Sequence, residues 1–124
     1  MRMENKVTFE AGRNIAMKVP AHQYDATVQF YCDVLGFNLL SRHDTSVAFE
    51  FGTNRLWIDS VVGLSQAEIW LEVVTQDMAA AARLLSTAGI VRCDDIEPLP
   101  QGLNAFWISN PASIIHLICT DAES

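Results

Sequence analysis

Lysine and arginine are scarce in this chain of 124 residues: eight in all against 15 aspartates and glutamates, for a net charge of −7. They form no cluster, which argues against a phosphate-tracking surface for nucleic acid and against an anionic-membrane anchor. Long apolar runs are missing too. No 18-residue apolar stretch exists, and "MRMENKVTFEAG" has no uninterrupted apolar core of a signal peptide. The expectation is a soluble, cytoplasmic protein. Cysteine is limited to Cys32, Cys93 and Cys119. An odd count without a C-x-x-C pair fits neither a disulfide framework nor a zinc knuckle, so these read as buried thiols or surface bystanders in a reducing compartment. No G-x-S-x-G elbow surrounds Ser60 or Ser65, and no phosphate loop or dinucleotide fingerprint occurs. Nucleophilic catalysis lacks support, and no nucleotide cofactor is expected.

What the chain does have is an apolar half (50% of residues), ample for a packed core, in a length suited to one domain spanning 1–124. "NIAMKV" (14–19) alternates as a strand, with Ile15, Met17 and Val19 on one face and Asn14, Ala16 and Lys18 on the other. Pro20 stops it. "YDATVQFYCDVLG" carries apolar residues at 24, 28, 31, 34 and 35, the stripe of an amphipathic helix with Asp25 as its N-cap and Gly36 as its terminator. "FNLLSR", "SVAFEF" and "RLWIDSVV" then read as three strands. The pattern restarts with "EIWLEVV" (68–74), whose Ile69, Leu71 and Val73 oppose Glu68, Trp70 and Glu72. A helix over "DMAAAARLLSTAG" follows, capped by Asp77 and ended by Gly89. "NAFWIS" and "SIIHLIC" close the chain, with Asn110 and Pro111 marking the turn between them.

The offsets indicate duplication. Phe49 to Phe106 and Asp59 to His116 are both separated by 57 positions. Two β-α-β-β-β modules of roughly 55 residues, about 13–62 and 67–120, explain this better than eight unrelated strands. The fold class expected is therefore α+β. In each module one strand face packs on its helix and the other points away. That parity places Asn14, Asp59, Glu68 and His116 at matching positions of matching strands, where the faces away from the helices could bring them together in one trough. Trp57, Trp70 and Trp107 share that parity. They can line a pocket for a flat or apolar ligand, or serve as core or interface residues. His22 and His43 read as surface residues; Glu72 reads equally as a trough residue or a solvated strand-end charge.

"VQFYCDVLGFNLL" and "ISNPASIIHLI" resemble phrases of the vicinal oxygen chelate superfamily, which holds glyoxalase I, extradiol dioxygenases and bleomycin-resistance proteins. The resemblance covers about residues 13 to 120. It implies two tandem modules forming a cup-shaped mixed sheet, a homodimer, and a divalent metal (Mn, Fe, Ni, Mg or Zn) held by Asn14, Asp59, Glu68 and His116. The family's usual set is two histidines, one sometimes Gln, and two glutamates. Asn14 and Asp59 depart from it, Glu68 and His116 come in the reverse of the usual order, and Ser113 replaces the closing turn's glycine. Aligned through the following "LI", His116 takes the place of the last glutamate; counted from Pro111 it falls one position early.

Two functions of different class follow from the resemblance. One is a small-molecule lyase, isomerase or dioxygenase in which the metal stabilises an enediolate or catecholate and Glu68 or Asp59 is the base. The other is a metal-free protein sequestering a small aromatic or antibiotic-like ligand in a dimer groove, with His116 simply hydrogen-bonded to a carboxylate. In both, the partner is a small molecule rather than nucleic acid or membrane.

Overall fold

The computed structural model describes residues 7–120; residues 1–6, half of the polar lead-in read above, lie outside the described residues, as do residues 121–124. Strand β1 spans Phe9–Pro20 and helix α1 Ala21–Gln29, continued by a π-helical turn over Phe30–Val34. Strands β2 (Leu39–Arg42), β3 (Ser46–Phe51), β4 (Asn54–Val61) and β5 (Glu68–Thr75) follow. Helix α2 (Met78–Thr87) precedes β6 (Val91–Arg92), β7 (Ala105–Ser109) and β8 (Ile115–Cys119). This is the α+β, twice-repeated β-α-β-β-β order that the sequence predicts. No described helix is long and apolar enough to cross a membrane.

The chain divides into two compact units. In the first, Arg13–Trp70, β1 runs parallel to β4, β4 antiparallel to β3, and β3 antiparallel to β2. Val19, Leu56, Ile58, Val47 and Phe49 form its core with Val28 of α1, and Ile15 and Met17 pack alongside. The helix-facing parity of β1 is the one read from "NIAMKV". The second unit contains, among the described residues, 71–120 and 7–12. Here β5 is parallel to β8, which is antiparallel to β7, itself antiparallel to β6. Phe106, Ile108 and Ile118 are buried, with Met78, Ala82 and Leu85 of α2 packed against them. Residues 7–12 join this second unit rather than the first. Thr75 Oγ1 donates to the Thr8 carbonyl at 2.9 Å, and Gly12 lies so close to Glu72 that a Cβ there would overlap its side chain.

Two helix ends differ from expectation. Asp25 is not the N-cap of α1, which starts directly after Pro20 (φ −56°). A proline there sacrifices no helical hydrogen bond and holds the chain at a helix-compatible φ. At the other end the Leu35 amide donates to the Phe30 carbonyl, five residues back, at 2.9 Å. That wider π turn rotates the stripe out of phase. Tyr24, Val28 and Tyr31 reach the core, but Val34 is left 71% exposed. Gly36 then ends the helix at φ +74°. α2 follows the prediction, with the Asp77 carboxylate accepting from the Ala80 amide at 3.0 Å.

The β7–β8 turn decides the final strand's register. Asn110 Oδ1 accepts from the amides of Ala112 and Ile114, both at 2.9 Å, and Ser113 adopts φ +67°. That left-handed conformation is free for glycine but strained by roughly 1 kcal/mol for a residue with a Cβ. Ser113→Gly is therefore expected to raise the unfolding free energy by about 1 kcal/mol or somewhat less, because glycine also gains entropy when unfolded. Urea denaturation checks this; a loss of stability would contradict the strained-turn assignment.

Candidate functional site

Directly opposed residues in a sheet project to the same face. In the first unit the register pairs Asn14 with Arg55, Ala16 with Trp57 and Lys18 with Asp59. Leu56 and Ile58 face the core, so Asn14, Lys18, Trp57 and Asp59 share the face turned away from α1. Two predicted site residues, Asn14 and Asp59, are thus on one surface, as the parity argument required.

What they do there is not what a ligand set would do. Lys18 Nζ donates to Asp59 Oδ2 at 2.7 Å, with side-chain exposures of 5% and 19%. The same ammonium lies 4.3 Å from the centroid of the Trp70 ring. Asn14 Oδ1 accepts the Trp57 indole N–H at 2.9 Å, and Glu68 Oε1 accepts the Trp70 indole N–H at 2.9 Å. On this surface the Lys18 and Asp59 charges neutralise each other and both indole N–H groups are satisfied. Trp57 is part-exposed, whereas Trp70, expected either to line a pocket or to serve as a core residue, is buried.

His116 overturns its predicted orientation. The register pairs it with Leu71 on β5 and Ile108 on β7. Ile108 belongs to the core under α2, so His116 is on the helix-packing face, whereas Glu72 and Trp107 pair with Leu117 on the other. The cause is hairpin length. β3 and β4 are joined across residues 52–53, β7 and β8 across residues 110–114. Connections differing by an odd number of residues cannot keep a constant offset of 57 on one face. Counting from Pro111, which puts His116 one position early, is the alignment that the register supports, with Leu117 on the face opposite α2. His116 Nδ1 lies 3.1 Å from the Ile114 carbonyl, to which it can only donate.

Trp107, also predicted to line a pocket, is buried. Its indole N–H donates to the Glu97 carbonyl at 2.9 Å and its amide to Asp94 Oδ1 at 3.1 Å. It anchors the 94–103 connection. Burial pushes the Asp94 carboxyl up, but hydrogen bonds from Arg92 and the Trp107 amide outweigh that and hold it below its ordinary value of 3.8.

A divalent metal does not fit these residues. The predicted quartet was Asn14, Asp59, Glu68 and His116. Asp59 is held by an ammonium that would repel a second cation, and His116 is turned to the α2 side. Among the described residues no group of three or more His, Cys, Asp or Glu side chains could hold a metal ion. The alternation of "NIAMKV" had placed Lys18 on this face, but a strand lysine reads as solvated. Only the β1–β4 register reveals its partner. His43, read as a surface residue, stacks on Trp57 with ring centroids 5.8 Å apart and an interplanar angle of 22°. A turn residue carries no sequence signal for such a contact.

Residues 15–90, more than half of the chain, match the family described as the Glyoxalase/Bleomycin resistance protein/Dioxygenase superfamily. A hypothetical protein from Bacillus halodurans is structurally similar (TM-score 0.67, 14% identity, covering 94% of this chain and 97% of that one). The Mn(II)-bound glyoxalase from Novosphingobium aromaticivorans superposes with TM-score 0.69 at 16% identity, over 94% of this chain but 40% of that one. Methylmalonyl-CoA epimerase from Mycobacterium tuberculosis gives TM-score 0.64 at 11% identity, over 89% and 87% of the two chains. Among curated proteins none matches the sequence. At these identities the likeness is one of fold.

Two outcomes test this geometry. Lys18→Met leaves a part-buried carboxylate alone and is expected to cost about 2–4 kcal/mol, below the full value for a buried pair because Asp59 keeps some water. The double variant Lys18→Met/Asp59→Leu should lose clearly less than the summed singles; additive losses in a denaturation cycle would contradict the pairing. Asp94→Asn should lower stability at neutral pH. A depressed folded pKa gives stability that is present above 3.8 and lost as pH falls through the lower folded value, so the gap between variant and wild type should close in acid. A gap unchanged in acid would refute it.

Proposed function

Since the chain belongs to the Glyoxalase/Bleomycin resistance protein/Dioxygenase superfamily, we propose that it is a metal-free member that binds a small, planar, largely apolar molecule. The observation that carries this reading is the Lys18–Asp59 pair, 2.7 Å long and nearly withdrawn from water. A fixed ammonium already supplies the positive charge beside Asp59, whereas a structurally similar glyoxalase is Mn(II)-bound. Ligand contact then falls to the part-exposed Trp57 ring, whose N–H is already satisfied by Asn14. Its remaining capacity is the π face, which favours flat aromatic partners.

The lyase, isomerase or dioxygenase reading needs Asp59 and Glu68 as bases and Asn14, Asp59, Glu68 and His116 as ligands. It loses support from Asp59's engagement with Lys18, Glu68's with Trp70, and His116's placement on the α2 face. A homodimer and a cytoplasmic location belong to this proposal as expectations drawn from the family.

The decisive experiment combines metal analysis of the purified protein with thermal shifts in Mn²⁺, Fe²⁺ or Ni²⁺. The expected result is substoichiometric metal and no rise in Tm, with Trp57 fluorescence quenched by planar aromatic compounds in metal-free buffer. Stoichiometric uptake with a Tm rise that disappears in Asp59→Ala would overturn the proposal.

A further inference from the structure

The Trp57 ring has a second wall. His43 lies in the turn between β2 and β3, where its amide donates to the Ser46 carbonyl at 2.8 Å and fixes the backbone. Its imidazole is exposed and nearly parallel to the indole, 22° off with centroids 5.8 Å apart. No described residue holds the His43 side chain by a hydrogen bond or ion pair. The two rings therefore differ in rigidity. Trp57 is on β4, flanked by β3 and β1 through the Ala48 and Ala16 register positions, and is tied to Asn14 at 2.9 Å. The register partners on both sides are small alanines, so His43 is the ring that covers the indole. His43 is retained by the stack alone, an interaction of roughly 0.5–1.5 kcal/mol.

From this asymmetry we infer that His43 and Trp57 form an aromatic clamp, with Trp57 the fixed wall and His43 the movable one, and that His43 sets the preference of the site for flat, fused-ring ligands. A fused ring system presents more π area to Trp57 than an imidazole does, so it displaces His43 from the stack. The freed imidazole then closes over the ligand's outer face, rotating about its own two side-chain torsions without backbone change. A saturated or branched molecule cannot enter this slot, because its thickness prevents both rings from making contact at once. The clamp selects by shape and π surface; it requires no charge on the ligand. This inference rests on the ligand-binding reading above.

Acridine is the probe, with its perhydrogenated, non-planar counterpart as control, each titrated against wild type, His43→Ala, His43→Phe and Trp57→Leu. Wild type is expected to bind acridine and discriminate against the control at least tenfold. His43→Ala should weaken acridine about 5–10-fold while leaving the weak binding of the control unchanged. His43→Phe, which restores a ring, should recover acridine binding to within about twofold, and Trp57→Leu should abolish it. An exposed turn residue leaves folding intact, which circular dichroism verifies. A ligand-free reading adds independence: Trp57 emission should brighten in His43→Ala as the quenching stack is lost. If acridine binds through Trp57 but is indifferent to His43→Ala, the clamp is refuted and the binding reading stands. If wild type does not bind acridine at all, both fall.

Discussion

An ammonium with 5% of its side chain exposed must find its counter-charge inside the protein, and Lys18 finds it in Asp59. Each would be unstable alone in that setting. Together they fix the register of β1 against β4. A slip of one residue would swing Lys18 toward Val47, Ile58 and Phe49 and leave Met17 on the polar face. The Trp70 ring over the ammonium completes the arrangement by excluding water and adding cation–π attraction. The rest of the open face follows from that closure. Asn14 accepts the Trp57 indole N–H and Glu68 accepts that of Trp70, so both indoles on this face have their polar atom engaged.

A fold similarity with TM-score 0.69 to the Mn(II)-bound glyoxalase says nothing by itself about the charges on this face, which here are Lys18 and Asp59 in contact. Fold sets where side chains converge; the residues there decide the chemistry. Leu117 makes the point in the second unit. It stands beside Glu72 and Trp107 in the register, while His116, the expected ligand, is one position away and on the other side of the sheet.

Much of the architecture was legible because it repeats. Period-two alternation in "NIAMKV" and "EIWLEVV", the Asp77 cap and the Gly36 terminator are local signals that survive into the fold, whereas the Asp25 cap gives way to Pro20. The site was legible only where it depended on a single strand's parity, as for Asn14 and Asp59. It failed where two strands had to be phased across a turn. The 57-residue offset held for Phe49 and Phe106, both in their units' cores, then broke for Asp59 and His116 because the connecting hairpins differ in length. The π turn that exposes Val34 escaped for a related reason: helical periodicity assumes a constant rise that one wider turn interrupts. Lys18 and His43 were hidden more deeply. Their partners lie 41 and 14 positions away in sequence, and only a register or a folded turn brings them into contact.

The account stands or falls on whether Asp59 is neutralised by Lys18 or by a metal. A crystal grown with excess Mn²⁺, with diffraction recorded at the manganese absorption edge, tests it most directly. The prediction is an anomalous map empty at Asp59, with Lys18 Nζ within hydrogen-bond distance of its carboxylate. An anomalous peak coordinated by Asp59, with the Lys18 side chain displaced, would contradict it.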